Sequence, residues 1–343
     1  TFKFNNTAGN ELNVSLDENS AFAFFNGSGS TDIAEVLNKN IKFTTMKKGA
    51  TFAYVKGNST VTLSQDFDTT NTAKVVMAPG TSVLVASDGA TVQVDATRKL
   101  TTNTNVGLVA TNGTSSNKSK AINKGTIISK VDGGVGLYAN NNSEATNDTA
   151  GKITMENKGS AGIYGEKDSE LTNKKEITLE EENSAGIYAK DSNVTNSGTS
   201  SKITLNKKNS AGIYSILTAN KDKKSKNEGK IDIKSTAQPS AGMFGKVESS
   251  SSKILSLENT GSIDIAAKTS VGLYAKNEGS DKTKLTVNNT GNINVSEEGS
   301  VGINGEKSTI ENGSTGIINI TKIKSAGIIA KSESAIINSG NIN

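Results

Sequence analysis

The chain has 343 residues, of which 33% are hydrophobic and 4% aromatic, and it carries a net charge of +4. A compact globule of that length needs a thick apolar core, whereas a stacked solenoid, whose coils touch only their neighbours, needs a thin one. Cysteine and histidine are absent and Arg98 is the single arginine. These absences exclude disulfides, thiolate or imidazole metal sites, and catalysis by cysteine or histidine.

Residues 1 to about 100 show apolar alternation in degenerate form: Phe2 and Phe4, then Leu12, Val14 and Leu16, then Val61 and Leu63, Val83 and Val85, Val92 and Val94. Period two predicts half-buried strands. Eight of the nine phenylalanines lie here. The one predicted helix is Asp32 to Leu37, with Thr31 or Asp32 as its cap. The stretch is expected to be an irregular N-terminal part of the architecture that follows it, in one continuous solenoid.

From residue 101 onward a phrase recurs in which a small or β-branched residue precedes Gly, then a large aliphatic, then usually Tyr. Its glycines are Gly107, Gly136, Gly162, Gly186, Gly212, Gly242, Gly272, Gly302 and Gly327, spaced by 29, 26, 24, 26, 30, 30, 30 and 25 residues. A second phrase, Asn-x-Gly-x-Ile, follows each and is exact at Asn123, Asn227, Asn259, Asn289 and Asn338; Asn147, Asn173, Asn196 and Asn312 vary it. A period of this size marks stacked repeats. Each repeat holds three short alternating runs, as in Ala185/Ile187, Val194/Asn196 and Ile203/Leu205. No helical-period segment is present to supply the crossovers of an ordinary parallel sheet. The expected fold is therefore all-β: a right-handed parallel β-helix (β-solenoid) of three-strand coils, about 24–30 residues per coil.

Within such a coil, Ala161/Ile163, Ala185/Ile187 and Val271/Leu273 should point inward, small beside large, each aliphatic contributing about 1.5–3 kcal/mol on burial. The repeat asparagines share the inward parity at a corner. Two readings apply: a stacked side-chain amide ladder, or turn residues chosen one by one. The repeat glycines are expected to face outward together with Tyr138, Tyr164, Tyr188, Tyr214, Phe244 and Tyr274, whose rings would shield bare glycine backbone. An alternative role for this aromatic stripe is a platform for sugars or a partner protein.

From Gly to Asn the interval is 10 or 11 residues in five coils, but 16, 15, 17 and 17 in those of Gly107, Gly212, Gly242 and Gly272. Three of the long coils are consecutive, so their turns at 217–226, 246–253 and 276–284 should stack into a ridge. Per-repeat insertions on one face often form a binding face. These windows hold nine lysines, Lys221, Lys223, Lys224, Lys226, Lys246, Lys253, Lys276, Lys282 and Lys284, against four acidic residues. The excess favours an anionic partner. The alternative is loop drift without function.

No catalytic constellation recurs. Carboxylates are scattered one or two per turn, Glu180–Glu182 is the single acidic run, and neither a phosphate loop nor a dinucleotide fingerprint is present. Neither cofactor nor metal is expected, nor a nucleic-acid partner, because the two signs of charge are interspersed. No apolar run approaches transmembrane length.

The phrases SAGIYGEKDSELTNKKEITL, SVGLYAKNEGS with NNTGNINV, SAGIIAKSESAIINSGNI and GATFAYVKGNSTVTLS resemble passenger-domain repeats of the large type V autotransporter adhesins of Fusobacterium, the galactose-binding and arginine-inhibitable kinds included. The resemblance implies a monomeric, extracellular β-helical passenger, held at the bacterial surface by a C-terminal outer-membrane barrel absent from this chain, which is then a piece of a longer protein. It also implies a part in coaggregation and host-cell attachment through glycan or protein receptors, without carrying any binding residue to a numbered position here. A non-binding spacer of a longer adhesin is the alternative, and a polysaccharide-degrading β-helix enzyme a remote one.

Overall fold

The computed structural model describes residues 12–32, 41–70, 75–77, 80–218, 221–249 and 251–343. Its alternating segments form short parallel strands wound into a right-handed parallel β-helix. Among the described residues the one helical element is the 3-10 turn Lys282–Lys284. Each regular coil supplies a glycine strand, an asparagine strand and a third strand. The chain forms two compact units, Thr1–Tyr164 and Gly165–Asn343.

In the first unit the early strands are long. Ala21–Asp32 pairs in parallel with Thr51–Leu63, and the two halves of Thr51–Leu63 pair with Ser82–Ser87 and Thr91–Val94. The single strand of the early coils is thus divided later by the turn at Asp88 and Gly89, both at positive φ. Strand Leu12–Leu16 pairs with Ile41–Met46, and the register slips between Val14 and Ser15. The phenylalanine-rich composition has a packing reason: Phe43, Phe52 and Phe67 fill the early coils edge to face, with centroids 4.6 and 5.2 Å apart. The expected helix is not found where it can be seen, because Thr31 and Asp32 end the strand Ala21–Asp32; residues 33–37 lie outside the described residues.

In the second unit the register is free of slips. Ile177, Ile203, Ile231, Ile263, Ile293 and Ile318 pair in succession along the third strands, and all six are fully buried. Ile187, Ile213, Met243, Leu273 and Ile303 do the same in the glycine strands. In the last glycine strand, Ala326–Lys331, the inward row opens: Ile328 is half-buried and Ala330 exposed.

Three corners carry polar columns. The asparagines form the amide ladder. Nδ2 of Asn123 donates to Oδ1 of Asn147 at 2.8 Å in the first unit. In the second unit Asn173, Asn196, Asn227, Asn259, Asn289, Asn312 and Asn338 are linked in the same direction at 2.7–2.8 Å. The remaining amide N–H reaches a turn carbonyl, as from Asn227 to Gly229 at 3.2 Å, so a group that would be costly to bury alone is paired. A second column is serine: the backbone N–H of Ser184, Ser210, Ser240 and Ser270 each donates to the hydroxyl one coil on, at Ser210, Ser240, Ser270 and Ser300. A third, also serine, closes the short coils between glycine and asparagine strands, as in Ser169 to Ser192 and Ser308 to Ser334.

The repeat glycines do not face outward. A Cβ at Gly136 would lie 2.7 Å from the Gly162 carbonyl and 3.0 Å from the Ile153 side chain, and Gly186, Gly212, Gly242 and Gly272 would meet the next glycine carbonyl and an interior isoleucine in the same way. Gly162 is buried as well. Alternation breaks at the glycine, which the pairing register skips: the residues on either side, such as Ala185 and Ile187, also face the interior. Glycine is required for close approach of neighbouring coils.

Candidate attachment site

The aromatic stripe lies on the glycine-strand sheet, where Tyr188, Tyr214, Phe244 and Tyr274 occupy one register row. Tyr188 and Tyr214 are stacked with centroids 5.1 Å apart and planes 6° from parallel. Tyr214 and Phe244 follow at 4.7 Å and 30°, Phe244 and Tyr274 at 5.1 Å and 65°. In the first unit Tyr138 and Tyr164 meet edge to face at 5.4 Å. Val109 and Val85 continue that row to Tyr54 and Phe24; Phe24 stacks on Tyr54 at 5.9 Å and is 61% exposed.

Phe24 was not legible as a member, since only the register of Ala21–Asp32 on Thr51–Leu63 places it there. Rings stacked on one another present edges and hydroxyls outward and cover each other's faces. That geometry favours mutual packing over stacking of sugars on open faces. Burial pushes the Tyr188 phenol above its ordinary 10.0, with the neighbouring Tyr214 adding to the shift, and burial raises Tyr214 as well.

The ridge is a built wall rather than a set of loose turns. In its three coils the glycine strands lengthen to seven residues, Ala211–Leu217, Ala241–Val247 and Val271–Asn277. The asparagine strands lengthen to five, Lys223–Asn227, Leu255–Asn259 and Leu285–Asn289. The added positions align, Leu217 on Val247 on Asn277 and Lys223 on Leu255 on Leu285, and all six are buried. The insertions thus widen the interior by one layer and displace the corner serine column of the short coils.

Polar groups close both ends of this wall. Below it, Asp191, at φ 54°, accepts hydrogen bonds from the Thr218 N–H at 2.7 Å and hydroxyl at 2.6 Å. Asp168 accepts from Lys221 Nζ at 2.7 Å and Lys223 Nζ at 2.5 Å. Above it, Asn277 donates to the carbonyls of Asp281 at 2.7 Å and Lys307 at 3.1 Å.

Of the nine ridge lysines, Lys223 is not on the surface, its side chain being 5% exposed. The widened corner buries its alkyl stem and delivers the ammonium to Asp168. Five others are paired: Lys224 with Glu258 at 2.6 Å, Lys226 with Glu228 at 2.7 Å, Lys246 with Glu278 at 3.1 Å, Lys276 with Glu278 at 3.5 Å and Lys284 with Asp281 at 3.7 Å. Lys221 shares Asp168. Lys253 and Lys282 have no carboxylate within ion-pair distance among the described residues. Most of the apparent positive excess is therefore matched by carboxylates, several from outside the three sequence windows.

On the third-strand sheet Asp232 and Asp264 are register partners. Both are engaged: Asp232 by Lys234 at 2.6 Å and Lys202 at 3.5 Å, Asp264 by Lys230 at 2.5 Å and by the Asn294 amide at 2.7 Å. Burial opposes ionisation of Asp264, but the Lys230 ammonium together with hydrogen bonds from Asn294 and Ser262 outweighs it and holds the carboxyl below 3.8. Among the described residues no group of three or more acidic side chains is placed to hold a metal ion.

Comparison with known families gives a match over most of the chain. The family model described as the BigA third pectate lyase-like domain matches residues 2–186 and again 128–280. No curated protein and no solved structure matches the chain.

Proposed function

The chain belongs to the BigA third pectate lyase-like domain family, and from that premise we propose that it is a surface-exposed, passenger-type β-helix that acts as an adhesin. The observation that carries the reading is the ridge: three consecutive coils widen together, in register, around a buried layer of Leu217, Val247, Leu255 and Leu285. Insertions that drift without function have no reason to acquire an interior. The repeat phrases support the finer assignment, a type V passenger of the fusobacterial kind, outer-membrane anchored in the full-length protein and engaged in coaggregation and host-cell attachment.

Its partner is a glycan or protein of mixed or negative charge, met by Lys253 and Lys282 and by exposed ion pairs that can exchange partners at small net cost. A polysaccharide-cleaving role is not proposed. The register-paired carboxylates Asp232 and Asp264 are committed to lysines.

The test is attachment of the 343-residue chain to cells and glycan arrays, alone and as the Lys253→Gln/Lys282→Gln variant. The expected result is weakened, salt-sensitive attachment by the variant with an unchanged melting temperature. Attachment by neither protein favours the spacer reading, in which this segment only projects a binding site located elsewhere, and equal attachment by both places the contact away from these two lysines.

A further inference from the structure

We propose that Tyr188 and Tyr214 form an oxidative cross-linking site, at which a peroxidase with hydrogen peroxide joins the two rings into a dityrosine that staples adjacent coils. The β-helix places one tyrosine directly above the other: Tyr188 and Tyr214 are register partners in parallel strands, with centroids 5.1 Å apart and planes within 6°. The two phenols are therefore held ring beside ring for as long as the coils stay stacked. Holding two reactants in such an arrangement turns a bimolecular coupling into an intramolecular one and removes most of its entropic barrier.

The chemistry balances. Each phenol gives up one electron and one proton, leaving two phenoxyl radicals. Their ortho carbons join, and the two hydrogens on those carbons move to the oxygens to restore both phenols. The two electrons and two protons reduce one hydrogen peroxide to two waters. The rings are half-buried on the outer face of the sheet. Each ring can therefore exchange electrons with a large oxidant through its exposed part, while the stack occupies the faces the two rings turn to each other.

Beyond Tyr214 the neighbours limit the reaction. Tyr214 is followed in the row by Phe244, which has no phenol to oxidise, and Tyr274 has Phe244 as its ring neighbour on one side and Asn304 as its register partner on the other. Tyr138 and Tyr164 cross at 67°, which brings an edge to a face rather than ring beside parallel ring. The chain has no cysteine, so this is a route to a covalent link between coils that a disulfide cannot provide. It stands independently of which receptor the protein binds.

The experiment treats the folded 343-residue chain with horseradish peroxidase and hydrogen peroxide, isolates the monomer, and digests it with trypsin. Tyr188 and Tyr214 then fall on separate peptides, 176–190 and 209–221. The expected product is those two peptides joined with the loss of two hydrogens, together with dityrosine fluorescence and a raised melting temperature. Tyr188→Phe and Tyr214→Phe, which keep the ring stack, should each abolish that joined peptide, whereas Tyr274→Phe should leave it. In denaturant, where register is lost, its yield should fall to that of any other tyrosine pair. Absence of the 188–214 link from oxidised folded monomer, or an equal yield from the unfolded chain, overturns the proposal.

Discussion

Val94 stands on the ladder row directly before Asn123, where an asparagine would complete the column. Asn123 donates onward to Asn147, but its own Oδ1 is buried with no hydrogen-bond partner. The row continues back to Leu63, so the amide column of the first unit begins at Asn123 with an orphaned acceptor.

That asymmetry makes the ladder testable by position. Asn227→Val removes the acceptor of Asn196 and the donor of Asn259, leaving two buried amide groups short of a bond. At about 1–3 kcal/mol per unsatisfied group, chemical denaturation should show a loss of roughly 2–5 kcal/mol. Asn123→Val deletes the orphan along with one ladder bond and should cost clearly less. Equal losses would show that the asparagines act singly as turn residues.

Gly212→Ala should be more damaging than its size suggests. The new methyl would sit 2.6 Å from the Gly242 carbonyl and 2.7 Å from Ile231, and backbone on the facing coil cannot rotate away. A loss of about 3 kcal/mol is expected. Gly159, at φ +65° with open space around it, should cost only about 1–2 kcal/mol on the same change.

Ile187 and Tyr188 are adjacent in sequence and opposite in exposure: the first is fully buried, the second half-buried. Ile187→Asp introduces an unpaired charge into a narrow interior and should abolish the cooperative melt of the coils around it. Tyr188→Ala should lose roughly 2 kcal/mol, from half a ring's burial and one ring contact. Circular dichroism melts of the two variants separate these outcomes.

The raised phenols give an alkaline signature. Because the folded Tyr188 and Tyr214 hold their protons more tightly than the unfolded chain does, their contribution is fully present below about pH 10 and is lost as pH rises through the folded values. Ultraviolet titration should show phenols ionising above the ordinary tyrosine range. The Tyr188→Phe/Tyr214→Phe variant should lose less stability on that climb than the parent.

Asp168 gives the acid counterpart. Burial pushes its carboxyl up, but hydrogen bonds from Lys221 and Lys223 outweigh this and hold it below 3.8. Its contribution is present above the unfolded value and is lost as pH falls through the folded one. Lys223→Met, which keeps the buried stem without the ammonium, should flatten the acid limb of the stability profile. The same change at Lys253, which has no carboxylate partner among the described residues, should leave that limb unaltered.

The parallel coil, the aliphatic interior and the asparagine row were legible because each rests on a residue repeated at a fixed phase, and identical chemistry must stack when coils stack. The inward glycines were not, since strict alternation assigns Gly186 to the face opposite Ile187 and nothing local announces the break in alternation between Ala185 and Ile187. The serine column was present in the sequence as a serine two residues before most repeat glycines, as at Ser184 and Ser210; its role shows only when the next coil brings a hydroxyl to its N–H. Lys223 misled because charge counts carry no direction: the wider corner turns that side chain inward, to a carboxylate 55 residues away in sequence.

The amide column also has a head and a tail. In the second unit every donated N–H points to the coil that follows in sequence and every accepting oxygen to the coil before it. A finished coil thus offers its successor an N–H awaiting an acceptor, and a strand arriving one residue out of phase would present Thr195 or Lys226 in place of Asn196 or Asn227. Such a slip strands a buried donor at once, so the column acts as a vernier that checks the phase of each coil as it is laid down. Length can then vary freely at the outer corners, where the wall of the three wide coils grew, without disturbing the count along the axis.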